Sequence, residues 1–164
     1  MTHVRYMDRI REYYLGQGYE EPYVWAHHDE VAFAPLAKPL ADCRVALLST
    51  SDVSLRRDDG AEVRETETTV GNVYGLPFDT PVEKLYSRQE SYDRYATNLD
   101  DIDSYLPLSH LRAFAAEGRI GAVTENFFNL NRGYSKRLMS ETTAPLALAR
   151  CREAAADVAI LTPV

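Results

Sequence analysis

The chain has 164 residues, 45% of them apolar and 26% charged, which is enough for one domain with a real core and too apolar for a disordered segment. Eighteen basic against twenty-five acidic side chains give a net charge of −7, and no basic block exceeds the pair Arg56-Arg57, so the footprint of a nucleic-acid binder is missing. Arg5, Asp8, Arg9, Arg11 and Glu12 interrupt Met1 to Tyr14, which excludes a signal peptide or membrane span there and predicts a cytoplasmic location.

Val4, Met7, Ile10 and Tyr14 recur at helical spacing, with Thr2 as a cap and Gly16 and Gly18 at the far end, so the chain is expected to open with an amphipathic helix. From Glu20 to Asp42, Pro22, Pro35 and Pro39 stand among scattered aromatics, and this stretch reads as an extended arm packed over the domain. His27-His28-Asp29-Glu30 lies in it without the spacing of a metal motif.

Val45-Ala46-Leu47-Leu48 is apolar on both faces and leads directly into Ser49-Thr50-Ser51-Asp52, the pattern of a central parallel strand delivering the chain to a polar loop. Leu55 to Gly75 carries no helical stripe and reads as a long loop. Asp100, Asp101 and Asp103 lack the further oxygen ligands and bend glycine of a calcium loop and read as a solvated turn. Pro107, the face Leu108, Leu111, Phe114 and Ala115, and the closing Gly118 predict a helix. Ile120-Gly121-Ala122-Val123 follows as a second strand, and Thr124 to Ser135 as a loop. In a third helix after Thr142, Thr143 and Pro145, the buried stripe is Ala144, Leu148, Cys151 and Ala155. Asp157 then separates it from Val158-Ala159-Ile160-Leu161, again apolar on both faces.

This alternation predicts a single α/β domain over residues 1–164, with an amino-terminal helix and arm over 1–42 and a sheet core over 43–164. The sheet is expected to be open and mostly parallel, Rossmann-like in three layers, and incomplete at the carboxyl end, because nothing follows Val164 to cover the last strand. Otherwise the amino-terminal helix or a second subunit covers it. Cys43 and Cys151 read as apolar filler, and nucleophile-elbow, P-loop and dinucleotide fingerprints are all absent.

Ligands of open α/β sheets bind beyond the carboxyl ends of the strands. Ser49, Thr50, Ser51, Asp52 and Thr162 are therefore the candidate substrate-binding residues, joined by Glu125 and Asn126 after the second strand, with Arg132 and Tyr134 placed to close over them. No metal site is expected, and no catalytic residue within these 164 positions.

The segments Arg44-Val45-Ala46-Leu47-Leu48-Ser49-Thr50-Ser51, Ser91-Tyr92-Asp93-Arg94 with Asn98-Leu99-Asp100-Asp101-Ile102, Leu108 to Gly121, and Asp157 to Val164 together resemble, in order, the amino-terminal part of the glycine/sarcosine/betaine reductase selenoprotein B family. The resemblance implies an oxidoreductase that reductively cleaves a C–N bond in a small amine or amino-acid-like substrate. It also implies a selenocysteine or cysteine just after Val164, a thioredoxin-type electron donor and further reductase subunits. The alternative is a non-catalytic small-molecule-binding or assembly subunit, complete at 164 residues and paired with itself through the uncovered sheet face.

Overall fold

The computed structural model describes residues 5–22, 24, 25, 27, 29–60, 73–90, 92, 94–130 and 135–164. It divides the chain into two compact units, Met1–Ala34 and Pro35–Val164. Pro35 to Asp42, expected in the arm, thus belongs with the sheet.

The first unit contains one helix, α1 (Tyr6–Gly16). Gly18, at φ +86°, turns the chain out of it while its N–H and that of Tyr19 donate to the Leu15 and Tyr14 carbonyls. Thr2 and Val4, expected to cap and begin this helix, lie outside the described residues. No residue of α1 is buried, and Met7 is 53% exposed. The arm departs from expectation in the same way: Val31 is 82% and Phe33 92% exposed. One helix followed by irregular, proline-broken chain offers no second surface to enclose them.

The second unit is a mixed α/β fold built on a mostly parallel sheet. Its centre is β1 (Arg44–Ser49), buried from Val45 to Ser49. A short antiparallel pair is formed by β2 (Val53–Leu55) and β4 (Leu85–Ser87). The remaining sheet strands are β3 (Val73–Pro77), β5 (Ala122–Val123), β6 (Asn126–Leu130) and β7 (Val158–Thr162). On one side β1 pairs in parallel with β5 and then β6, and β6 pairs antiparallel with β3. On its other side β1 pairs in parallel with β7 along five residues, from Val45↔Val158 to Ser49↔Thr162.

The helices explain why β1 is apolar throughout. Val45 and Leu47 share a core cluster with Leu108 and Leu111 of α2 (Leu108–Ala116), whereas Ala46 and Leu48 share another with Ala147 and Cys151 of the last helix. Pro107 caps α2 instead of entering it, and Gly118, at φ +71°, ends it. The last helix begins earlier than expected, as α3 (Lys136–Leu138) capped by Ser135, then a π turn (Met139–Thr143), then α4 (Ala144–Glu153). The wide turn precedes Pro145, which lacks an N–H and would crowd a normal helical turn. The π turn also rotates the buried stripe. Thr143, Ala147 and Cys151 face inward, while Ala144, Ala155 and Leu148 (51% exposed) are outside.

Two predicted loops contain strands. Thr124 to Ser135 holds β6, with Phe127, Phe128, Asn129 and Leu130 all buried. The Leu55–Gly75 region contains the first residues of β3, and 61–72 lie outside the described residues. Gly75 admits the close approach of β6, since a Cβ there would stand 3.2 Å from the Asn126 Cβ.

Candidate functional site at the carboxyl ends of the parallel strands

From β1 the chain passes to β5 and β6 on one side and returns to β7 on the other, so the strand order reverses at β1. Such a reversal leaves a crevice where neighbouring loops part in opposite directions. Five of the predicted residues meet here. Ser49 Oγ lies 2.8 Å from Ser51 Oγ and 3.0 Å from the Thr162 carbonyl oxygen. The Thr50 N–H donates to that same oxygen at 3.3 Å, Thr162 Oγ1 donates to the Leu48 carbonyl at 3.3 Å, and the Val164 N–H donates to Thr50 Oγ1 at 3.0 Å.

Asp52 completes the loop in a left-handed conformation, φ +50°, that costs a branched or bulky residue heavily and an aspartate less. Its carboxylate accepts from Arg88 at 2.6 Å and from the Tyr74 hydroxyl at 3.2 Å, and Tyr74 also donates to the Val53 carbonyl at 2.9 Å. Burial, reinforced by the Asp52 charge, pushes the Tyr74 phenol well above its ordinary range, so it stays a neutral donor. Ser87 Oγ donates to the Ser51 carbonyl at 2.5 Å, and Gln89 Nε2 to that of Thr50 at 3.3 Å. The small β2–β4 sheet therefore holds the loop from one side and β7 from the other.

Glu125 and Asn126 are elsewhere. The strand continues past them after a break at Thr124, whose hydroxyl donates to the Asn126 carbonyl at 2.7 Å. They line a groove of about 610 Å³ with Arg44, Val123, Arg150 and Glu153, toward the amino end of β1, and do not enter the crevice. The physical reason is register: β1 pairs with Val123 at Val45 but with Phe128 and Asn129 only at Leu48 and Ser49. Arg132 and Tyr134 lie outside the described residues. Asn129 takes the place expected for Asn126, alongside Ser49 and fully buried.

The acidic turn has a structural role. Asp101 accepts from the Asp103 N–H at 3.1 Å and Asp103 from the Ser109 N–H at 2.8 Å, capping the start of α2. In the arm, His27 Nε2 sits 3.1 Å from exposed Asp29, and His28 is outside the described residues. Among the described residues no cluster of His, Cys, Asp or Glu could hold a metal, and no helix is long and apolar enough to cross a membrane. Cys43 and Cys151 are free and buried.

The fold and crevice define a mixed α/β protein with its loops gathered at a strand-order reversal. Compared with protein-family models, curated proteins and solved structures, the chain has no match.

Proposed function

We propose that the chain is the amino-terminal part of a Rossmann-like three-layer oxidoreductase resembling the selenoprotein B component of glycine/sarcosine/betaine reductase, working in the cytoplasm. The observation that carries this reading is the tie between the Val164 N–H and Thr50 Oγ1 at 3.0 Å, beside the reversal in strand order. A redox residue after Val164 would emerge beside the Ser49–Asp52 loop, at the position where sheets of this type bind substrates. Strand-to-helix loops favour an ionised chalcogen through backbone N–H groups and the positive end of the next helix. The ionised chalcogen attacks the substrate carbon, the C–N bond breaks, and the nitrogen leaves as ammonia or an amine. A thioredoxin-type dithiol supplies the two electrons that regenerate the centre, with further reductase subunits in the complex.

The test compares this chain with a form extended through the next segment and carrying cysteine directly after Val164. Amine release from glycine, sarcosine and betaine is measured with a dithiol donor. The extended form is expected to release amine and the 164-residue chain to be inactive; equal activity sinks the reading.

One observation favours a second reading, a non-catalytic binding or assembly subunit. β7 is an edge strand whose Ala159 and Leu161 are exposed, Leu161 at 69%. A bare apolar edge is an association surface. A stable dimer of this chain in solution supports that reading, and a monomer removes it.

A further inference from the structure

We propose that the carboxyl ends of β1, β6 and β7 hold a binding position for a small carboxylate, with the Asn129 carboxamide as donor and the Thr50–Asp52 loop as lid. Ser49 is in register with Asn129 on one neighbouring strand and Thr162 on the other, so the three form a polar row across the sheet. The row lies on the face that carries Val45, Leu47, Phe127 and Ile160, at the margin of the larger core cluster.

Asn129 is fully buried, and its Oδ1 accepts from the Val53 N–H at 3.1 Å with Ser51 Oγ at 3.5 Å. That acceptor role fixes which way the amide faces. Its Nδ2 is left without an acceptor among the described residues. A fully buried amide donor is costly to leave unmatched, and such a group at a strand-order reversal has a natural use in taking up a ligand oxygen.

The covering loop is secured by side-chain bonds at a residue of positive φ. Asp52, at φ +50°, is held by Arg88 and Tyr74. Release of that latch frees Thr50 and Ser51 to swing from above Asn129, and closure afterwards would shut a small ligand from water. The row offers an amide and hydroxyls but no cation. This suits a carboxylate, whose remaining charge can be met by hydroxyl donors, better than a phosphate, which calls for directly bound arginine or lysine. Identifying the ligand as the substrate's own carboxylate rests on the reductase reading above; the binding position does not.

The test is a titration of the 15N-labelled chain with sodium acetate, with glycine, and with methylammonium chloride as an amine lacking the carboxylate. The readout is the side-chain amide pair of Asn129, assigned through its own backbone. Acetate and glycine are expected to move that pair saturably and methylammonium to leave it in place. Asn129→Asp keeps the acceptor for Val53 but replaces the donor by a negative charge, and should weaken acetate binding about tenfold or more. An unmoved amide pair in the wild-type chain, as for a buried water only, overturns the proposal, as does unchanged affinity in Asn129→Asp. Carboxylate binding by this chain together with an inactive extended form would retain the site and discard the reductase reading; the reverse result would do the opposite.

Discussion

Ala155 follows α4 at φ +51°, and the next residue's N–H reaches back to the Cys151 carbonyl at 2.9 Å. A left-handed helix terminus favours glycine, so Ala155→Gly should stabilise the sheet unit by about 0.5–1 kcal/mol, read as a higher urea midpoint at unchanged slope. Gly121 presents the opposite case. A Cβ there would stand 2.7 Å from the Asp42 carbonyl carbon, which is backbone and cannot swing aside. Gly121→Ala should therefore cost about 1–3 kcal/mol in the same measurement. Asp157 carries a pH dependence: the Arg44 N–H at 2.7 Å and the Lys38 ammonium at 2.8 Å hold its carboxyl below the ordinary range. A carboxyl depressed on folding adds stability above its unfolded pKa, and that stability is lost as pH falls through the folded value. Acid unfolding of Asp157→Asn should consequently show a shallower loss of stability below the ordinary carboxylate range; an unchanged acid limb would refute the role. None of these three positions announces itself in sequence, because each depends on a neighbour brought close only by the fold.

At the scale of elements, the short hydrophobic runs were legible where burial is two-sided. Val45 to Leu48 is a central strand because it has a helix on each face, and Leu108, Leu111 and Gly118 mark α2 correctly. Phe127 and Phe128 were hidden by the polar residues around them, Asn126 and Asn129, so β6 read as loop. A buried asparagine between phenylalanine and leucine was the available signal, since polar residues enter core strands chiefly at sites or ladder ends. The last helix was misphased because its π turn shifts the face presented downstream, an adjustment that a period of 3.6 cannot anticipate. The β7 edge yields a test between the two functional readings. Leu161→Glu should alter stability by no more than about 0.5 kcal/mol, because the side chain is 69% exposed. If β7 is a subunit interface, the same change would break the dimer, visible by sedimentation.

For the whole molecule, the expected mostly parallel α/β sheet is present, but the single domain over 1–164 is replaced by two compact units. The division escaped notice because the aromatics of the first unit suggest packing, while the chain supplies only α1 and irregular backbone there. Of the candidate site, Ser49, Thr50, Ser51, Asp52 and Thr162 converge as their positions after β1 and at the end of β7 imply. Arg88, Tyr74 and Asn129 reach the same loop from β3, β6 and the segment after β4, contacts of long sequence separation that no local pattern encodes. The account's central claim is that this crevice adjoins a redox residue carried by the following chain. The most direct measurement is the nucleotide sequence of the gene after the Val164 codon. The account predicts an in-frame UGA or cysteine codon, then an open frame with a second cysteine codon close by. An ordinary stop codon, or an open frame with neither UGA nor a cysteine codon in the next few positions, would contradict it.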